Sequence, residues 1–163
     1  MIRYVYHNFV SYAWADKETP HSERYFVELR DPVDEKILKA AVNQGMRRYP
    51  YYAVELRVAG NRYAYFPNSR EFPVANSELP LNLLGKEANF HCVAFRWWRN
   101  RIYFDFDHGL IDGIASCNII KTIVYCYCRE RYSKDISSDG IRLFSEGMSI
   151  PPEEYEQEKE LVV

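Results

Sequence analysis

The sequence has no apolar run of about 18 residues, so it offers no membrane-spanning helix. It has no basic excess either. The 21 Lys and Arg against 23 Asp and Glu leave a net charge of −2, which argues against nucleic acid as a partner. The N-terminus, MIRYVYHNFVSYAW, has one arginine and no clean apolar core, so it does not read as a signal peptide, and a cytoplasmic location is the expectation. The four cysteines, Cys92, Cys117, Cys126 and Cys128, include no C-x-x-C pair. Cys126 and Cys128 are two apart and point in different directions on a helix, so reduced thiols are expected and no metal site. No internal repeat is visible.

What is present is a chain of 163 residues, 47% hydrophobic and 16% aromatic, with 14 tyrosines and nine phenylalanines. That composition suits one folded domain, rich in strands, or part of a larger one. A chain of this length buries about 68–70% of its unfolded surface, enough for a real core.

Residues 24–30, RYFVELR, alternate in polarity and predict a strand. The following DPVDEKILKAAVNQGMRRYP predicts a helix. Asp34 is its N-cap, and Ile37, Leu38, Ala41, Val42 and Met46 share one face. Arg47 and Arg48 suit its C-terminal dipole, and Pro50 stops it. YYAVELRVAGNRYAYFPN predicts a hairpin turning at Ala59-Gly60-Asn61-Arg62. Residues 67–88 predict an irregular excursion with short extended pieces. NFHCVAFRWWRN and RIYFDFDH predict a second hairpin, joined near Arg99-Asn100. Residues 112–132 predict a long helix with Ile119, Ile120, Ile123, Val124 and Tyr127 in its core stripe. The expected fold is α+β: a two-layer sandwich of a mostly antiparallel sheet with helices packed on one face. Residues 1–132 form the domain, and residues 133–163, with five glutamates within 153–160, form a linker or C-terminal tail.

The chemistry concentrates at FDFDHGLIDGIAS, residues 104–116. Strand alternation puts Ile102, Phe104 and Phe106 on one side and Tyr103, Asp105 and Asp107 on the other. The same alternation carries His108 to the apolar side. Partial desolvation there favours the neutral imidazole that a general base requires. Gly109 and Gly113 would let the backbone turn tightly. Asp112 stands where a carboxylate caps a helix or pairs with an arginine. Ser116 reads as helix packing, and Trp97 and Trp98 as sheet or interface packing. The Tyr12–Asp16 stretch reads as an aromatic edge contact. His7, His21 and His91 show no partner pattern.

His108-Gly109-Leu110-Ile111-Asp112-Gly113, set between an aromatic strand and an amphipathic helix, resembles the H-x-x-x-D-G motif of the chloramphenicol acetyltransferase-like superfamily. That superfamily includes alcohol acetyltransferases and the condensation domains of nonribosomal peptide synthetases. RYFVELRDPVDEKILKAAVNQGMRRYPYYAVEL is similar to its opening strand and first helix, so the resemblance covers roughly residues 20–132.

The resemblance implies an acyltransferase in which His108 deprotonates an alcohol or amine acceptor. The acceptor then attacks an acyl thioester of coenzyme A or of a phosphopantetheine arm, which is a co-substrate and not a tightly bound cofactor. Asp112 and Gly113 match structural positions of the motif, and the family's aspartate pairs with an arginine. Asp107 stands where many members carry a first, non-catalytic histidine. The larger members have two halves with the motif in the first. This chain matches the first only, so it is expected to act with a C-terminal half or as a homo-oligomer on a small-molecule donor and acceptor. The alternatives are a non-catalytic binding or oligomerisation module and a truncated remnant of a two-half acyltransferase. Neither acyl group nor acceptor follows from the sequence.

Overall fold

A computed structural model describes residues 3–4, 22–59 and 62–150. His7, the Tyr12–Asp16 stretch, His21, the Gly60-Asn61 turn and residues 151–163 lie outside the described residues. Seven strands are described: β1 (Arg3–Tyr4), β2 (Ser22–Glu28), β3 (Val54–Ala59), β4 (Arg62–Pro67), β5 (Val74–Asn76), β6 (Val93–Trp98) and β7 (Arg101–Asp107). Two α-helices, α1 (Glu35–Met46) and α2 (Gly113–Tyr132), and two short 3-10 turns at Pro50–Tyr52 and Lys86–Ala88 are also described.

The strands form two sheets. An antiparallel three-stranded sheet runs β1-β4-β3, and a four-stranded sheet runs β2-β7-β6-β5 with only β5 parallel to its neighbour. An isolated antiparallel bridge between Glu55 and His91 joins β3 to the chain entering β6. The expected α+β architecture is therefore present, with the strands divided between two sheets.

Both helices begin as the sequence predicts. Asp34 Oδ1 accepts from the amides of Lys36 (2.9 Å) and Ile37 (3.1 Å), and Glu35 and Lys39 pair one turn apart. Leu38, Ala41, Val42 and Met46 are buried against the core, with Ile37 half-buried beside them. Gly45 lets α1 approach α2 closely: a Cβ there would stand 2.5 Å from Ile123 Cδ1. In α2 the predicted stripe is buried except for half-buried Val124, but Ser116, Thr122, Tyr125 and Cys126 are buried too. The helix is covered more widely than one face because residues 133–150 lie against it. They form neither helix nor strand, yet Ile136, Ile141, Leu143 and Ile150 pack on the core. Thr122 Oγ1 lies 2.9 Å from the Arg142 carbonyl, and Arg47 lies over the Phe144 ring.

The helix-covered face of the four-stranded sheet carries Phe95, Ile102, Phe104 and Phe106, with Phe104 stacked on both neighbouring phenylalanine rings. The opposite face holds a feature the sequence reading did not anticipate. Arg96 and Asp105 are fully buried there. Arg96 grips Asp105 through two bonds, Nε to Oδ2 at 2.5 Å and Nη2 to Oδ1 at 3.0 Å, while Arg24 Nε adds a third at 2.8 Å.

Candidate functional site

The site forms where β7 ends and α2 begins. Asp107 closes the strand and builds the turn. Its Oδ1 accepts from the Gly109 amide at 2.7 Å, and its carbonyl accepts from Leu110 and Ile111, each at 3.1 Å. Leu110 and Ile111 are buried, so the turn is anchored by apolar packing between the exposed Gly109 and Asp112. Asp112 then caps α2, its Oδ1 accepting from the Ala115 amide at 2.7 Å. Among the described residues no arginine pairs with it. Ser116 is buried and its Oγ–H donates to the Gly113 carbonyl at 2.9 Å, a packing role.

Two expectations about this loop need correction. His108 does follow the pleat, its ring edge meeting Phe106 with centroids 6.4 Å apart. Its side chain is nonetheless 56% exposed, so the ring is more open to water than that placement implied. The strand ends one residue earlier, and the turn carries the ring out to the rim of the sheet. Nor do the glycines serve a special backbone shape: neither Gly109 nor Gly113 has a positive φ. A Cβ at Gly113 would meet Tyr25 Oη at 3.8 Å, an ordinary contact.

The ring's orientation carries the chemical information. His108 Nδ1 lies 3.0 Å from the Ile111 carbonyl oxygen. A carbonyl only accepts, so in the neutral ring Nδ1 carries the hydrogen and donates it. The lone pair is then on Nε2, which faces away from the turn. Glu23 of β2 is the charged neighbour on that side, with Oε1 3.9 Å from Nε2. Tyr25, two residues along the same strand, packs against Phe106 at 5.6 Å. Thus the motif's own backbone selects a tautomer able to accept a proton at a solvent-accessible atom. The Ile111 carbonyl and Glu23 were not singled out from the sequence, and Asp107 was noted only for its side of the strand and as standing where the resembling motif carries a histidine. Asp107 had a local signal, an aspartate two residues before a glycine at a turn. Glu23 is visible only once β2 and β7 are in register, and the Ile111 carbonyl only once the turn has formed.

Elsewhere, His91 is fully buried, with Nε2 3.0 Å from the Arg70 carbonyl and Phe72 stacked at 4.4 Å. Burial pushes its imidazole below the usual histidine range. Burial raises the thiols of Cys126 and Cys128, which suits inert packing, and all four cysteines are free. Among the described residues no cluster of three or more His, Cys, Asp or Glu is placed to hold a metal, and no helix is long and apolar enough to cross a membrane.

No family model matches the sequence, and no curated protein matches it. Solved structures do match in shape. Polyketide synthase associated protein 5 from Mycobacterium tuberculosis is 14% identical, with 83% of this chain covering 35% of that one at a TM-score of 0.60. A variant of the starter condensation domain of rhizomide synthetase RzmA, in complex with C8-CoA, is 9% identical. There 98% of this chain covers 41% of the domain at a TM-score of 0.63. A complex of that domain with C8-CoA and Leu-SNAC is 9% identical, with 86% of this chain covering 36% of it at a TM-score of 0.58. The chain shares the fold of part of these condensation domains. It spans about two fifths or less of the length of these similar structures.

Proposed function

We propose that this chain is the half of an acyltransferase that supplies the general base. His108 Nε2 takes the proton of an alcohol or amine acceptor as the acceptor attacks the carbonyl carbon of an acyl thioester. The thioester is carried by coenzyme A or a phosphopantetheine arm. The tetrahedral oxyanion collapses, the C–S bond breaks, and the imidazolium returns its proton to the thiolate. Asp107 and Asp112 act structurally, holding the loop that presents the ring. The observation that carries this reading is the 3.0 Å contact of His108 Nδ1 with the Ile111 carbonyl, which leaves Nε2 as the free base. The binding of C8-CoA by similarly folded structures supports a coenzyme A thioester as donor. The exposed ring and the short span of the chain favour a second half or a second copy closing the site.

The test is release of free thiol from octanoyl-coenzyme A with a panel of alcohols and amines. It is run on the chain alone and with a separately expressed second half. General-base help is worth about 10²–10⁴-fold, and His108→Ala is expected to lose that much. If the wild-type chain releases no thiol in either format, the enzyme reading fails. What then remains is a non-catalytic module that associates through exposed Phe26 and Trp98, with self-association by light scattering as its sign.

A further inference from the structure

The β2–β7 register sets Glu23 opposite Phe106, two residues before His108 on the neighbouring strand. Glu23 and Tyr25 alternate onto the face that also carries Phe106. Glu23 Oε1 therefore stands 3.9 Å from His108 Nε2, with the two side chains 52% and 56% exposed. That separation is too long for a hydrogen bond, so the carboxylate flanks the free lone pair without occupying it. Among the described residues no other charged side chain stands in ion-pair range of His108. Any nucleophile that reaches Nε2 at bonding distance arrives within a few ångströms of one negative charge.

We infer that Glu23 selects the acceptor, favouring an amine that arrives as its ammonium over a neutral alcohol of the same shape. This rests on the reading of His108 as the general base. The ammonium donates a hydrogen bond to Glu23 and loses one proton to solvent. The resulting amine attacks the thioester carbonyl, forming a C–N bond as the C–S bond breaks. Its second proton passes to Nε2 and then to the departing thiolate, so the products are an amide and a free thiol, with nothing oxidised or reduced. A half-exposed carboxylate is screened by water, and its preference for a cation is worth about 3–5-fold.

The experiment compares wild type, Glu23→Gln and His108→Ala, using octanoyl-coenzyme A with isoamylamine and isoamyl alcohol. Glu23→Gln is expected to lower the amine-to-alcohol ratio of kcat/KM by about 3–5-fold, mainly through the KM for the amine. The intrinsic difference between the two nucleophiles cancels in this comparison. In parallel, isoamylamine is titrated into each protein while the His108 ring-proton signals, assigned by their loss in His108→Ala, are followed by NMR. Glu23→Gln is expected to need about 3–5-fold more amine for the same shift. An unchanged ratio with His108-dependent transfer intact overturns the selection by Glu23 and leaves the general-base reading standing. If no protein transfers acyl groups, either alone or with the separately expressed second half, the general-base reading falls and the titration decides alone. A Glu23-dependent shift then supports the amine preference, and a Glu23-independent shift overturns it.

Discussion

At the scale of single residues, the sequence was most legible where a side chain answers to its own backbone. Asp34 and Asp112 could be read as helix caps because capping needs only a short acceptor at a helix start, and both caps are present. Asp105 looked like the outward half of an alternating strand. It is instead 1% exposed and held by two arginines that lie nine and 81 positions away in sequence. Nothing local announces such a partner; only the register of β2, β7 and β6 brings the three together. The arrangement has a measurable consequence. Asp105→Asn keeps the shape but leaves fully buried Arg96 facing a neutral amide. Breaking a buried pair in this way costs about 3–5 kcal/mol, and the variant is expected to lose that much in urea unfolding followed by circular dichroism. A loss under 1 kcal/mol would mean that water already solvates the guanidinium.

At the scale of elements, both helices and both hairpins were legible, since each depends on periodicity and turn chemistry within a short window. What the windows could not hold was the division into two sheets and the parallel placement of β5, whose three residues pair with β6 across the loop they open. The exposure of His108 was missed for a related reason: alternation predicts a side, but not where the strand stops. The β6–β7 turn shows what a local fit still leaves unsatisfied. Arg99, its first loop residue, has φ 55°, a conformation L side chains adopt at a cost. Its role is carried by its backbone, whose carbonyl accepts from the Val33 amide at 2.8 Å. Arg99→Gly relieves the strain and keeps that bond, while the looser unfolded chain returns part of the gain. A net stabilisation of about 0.5–1 kcal/mol is expected, read as a higher urea midpoint at unchanged slope.

At the scale of the whole molecule, the two sheets meet at one bridge among the described residues, Glu55 with His91, and both of its residues are buried and titratable. Desolvation works to raise the Glu55 carboxyl, but hydrogen bonds and charge from Arg57 and Arg70 outweigh it and hold the group below its ordinary 4.5. Desolvation dominates at His91 and holds it below its ordinary 6.5. Nε2–H is committed to the Arg70 carbonyl, and Nδ1 has no partner to receive a second proton's bond. Both folded values are depressed, so the unfolded chain binds more protons than the folded one as pH falls, and acid destabilises. For His91 the stability is complete above about 6.5 and is lost as pH drops through its lower folded value. For Glu55 the loss starts only below about 4.5. The urea midpoint of the wild-type chain is therefore expected to fall in two stages on acidification, the first belonging to the junction histidine. His91→Phe keeps a ring against Phe72 and removes the titrating group. It should be less stable than wild type at pH 7.5 through the lost bond to Arg70, yet its midpoint should stay flat between about pH 7 and 5 where the wild type declines. If the two proteins decline in parallel over that range, the first stage belongs to another histidine, and the sheet junction is not where acid acts first.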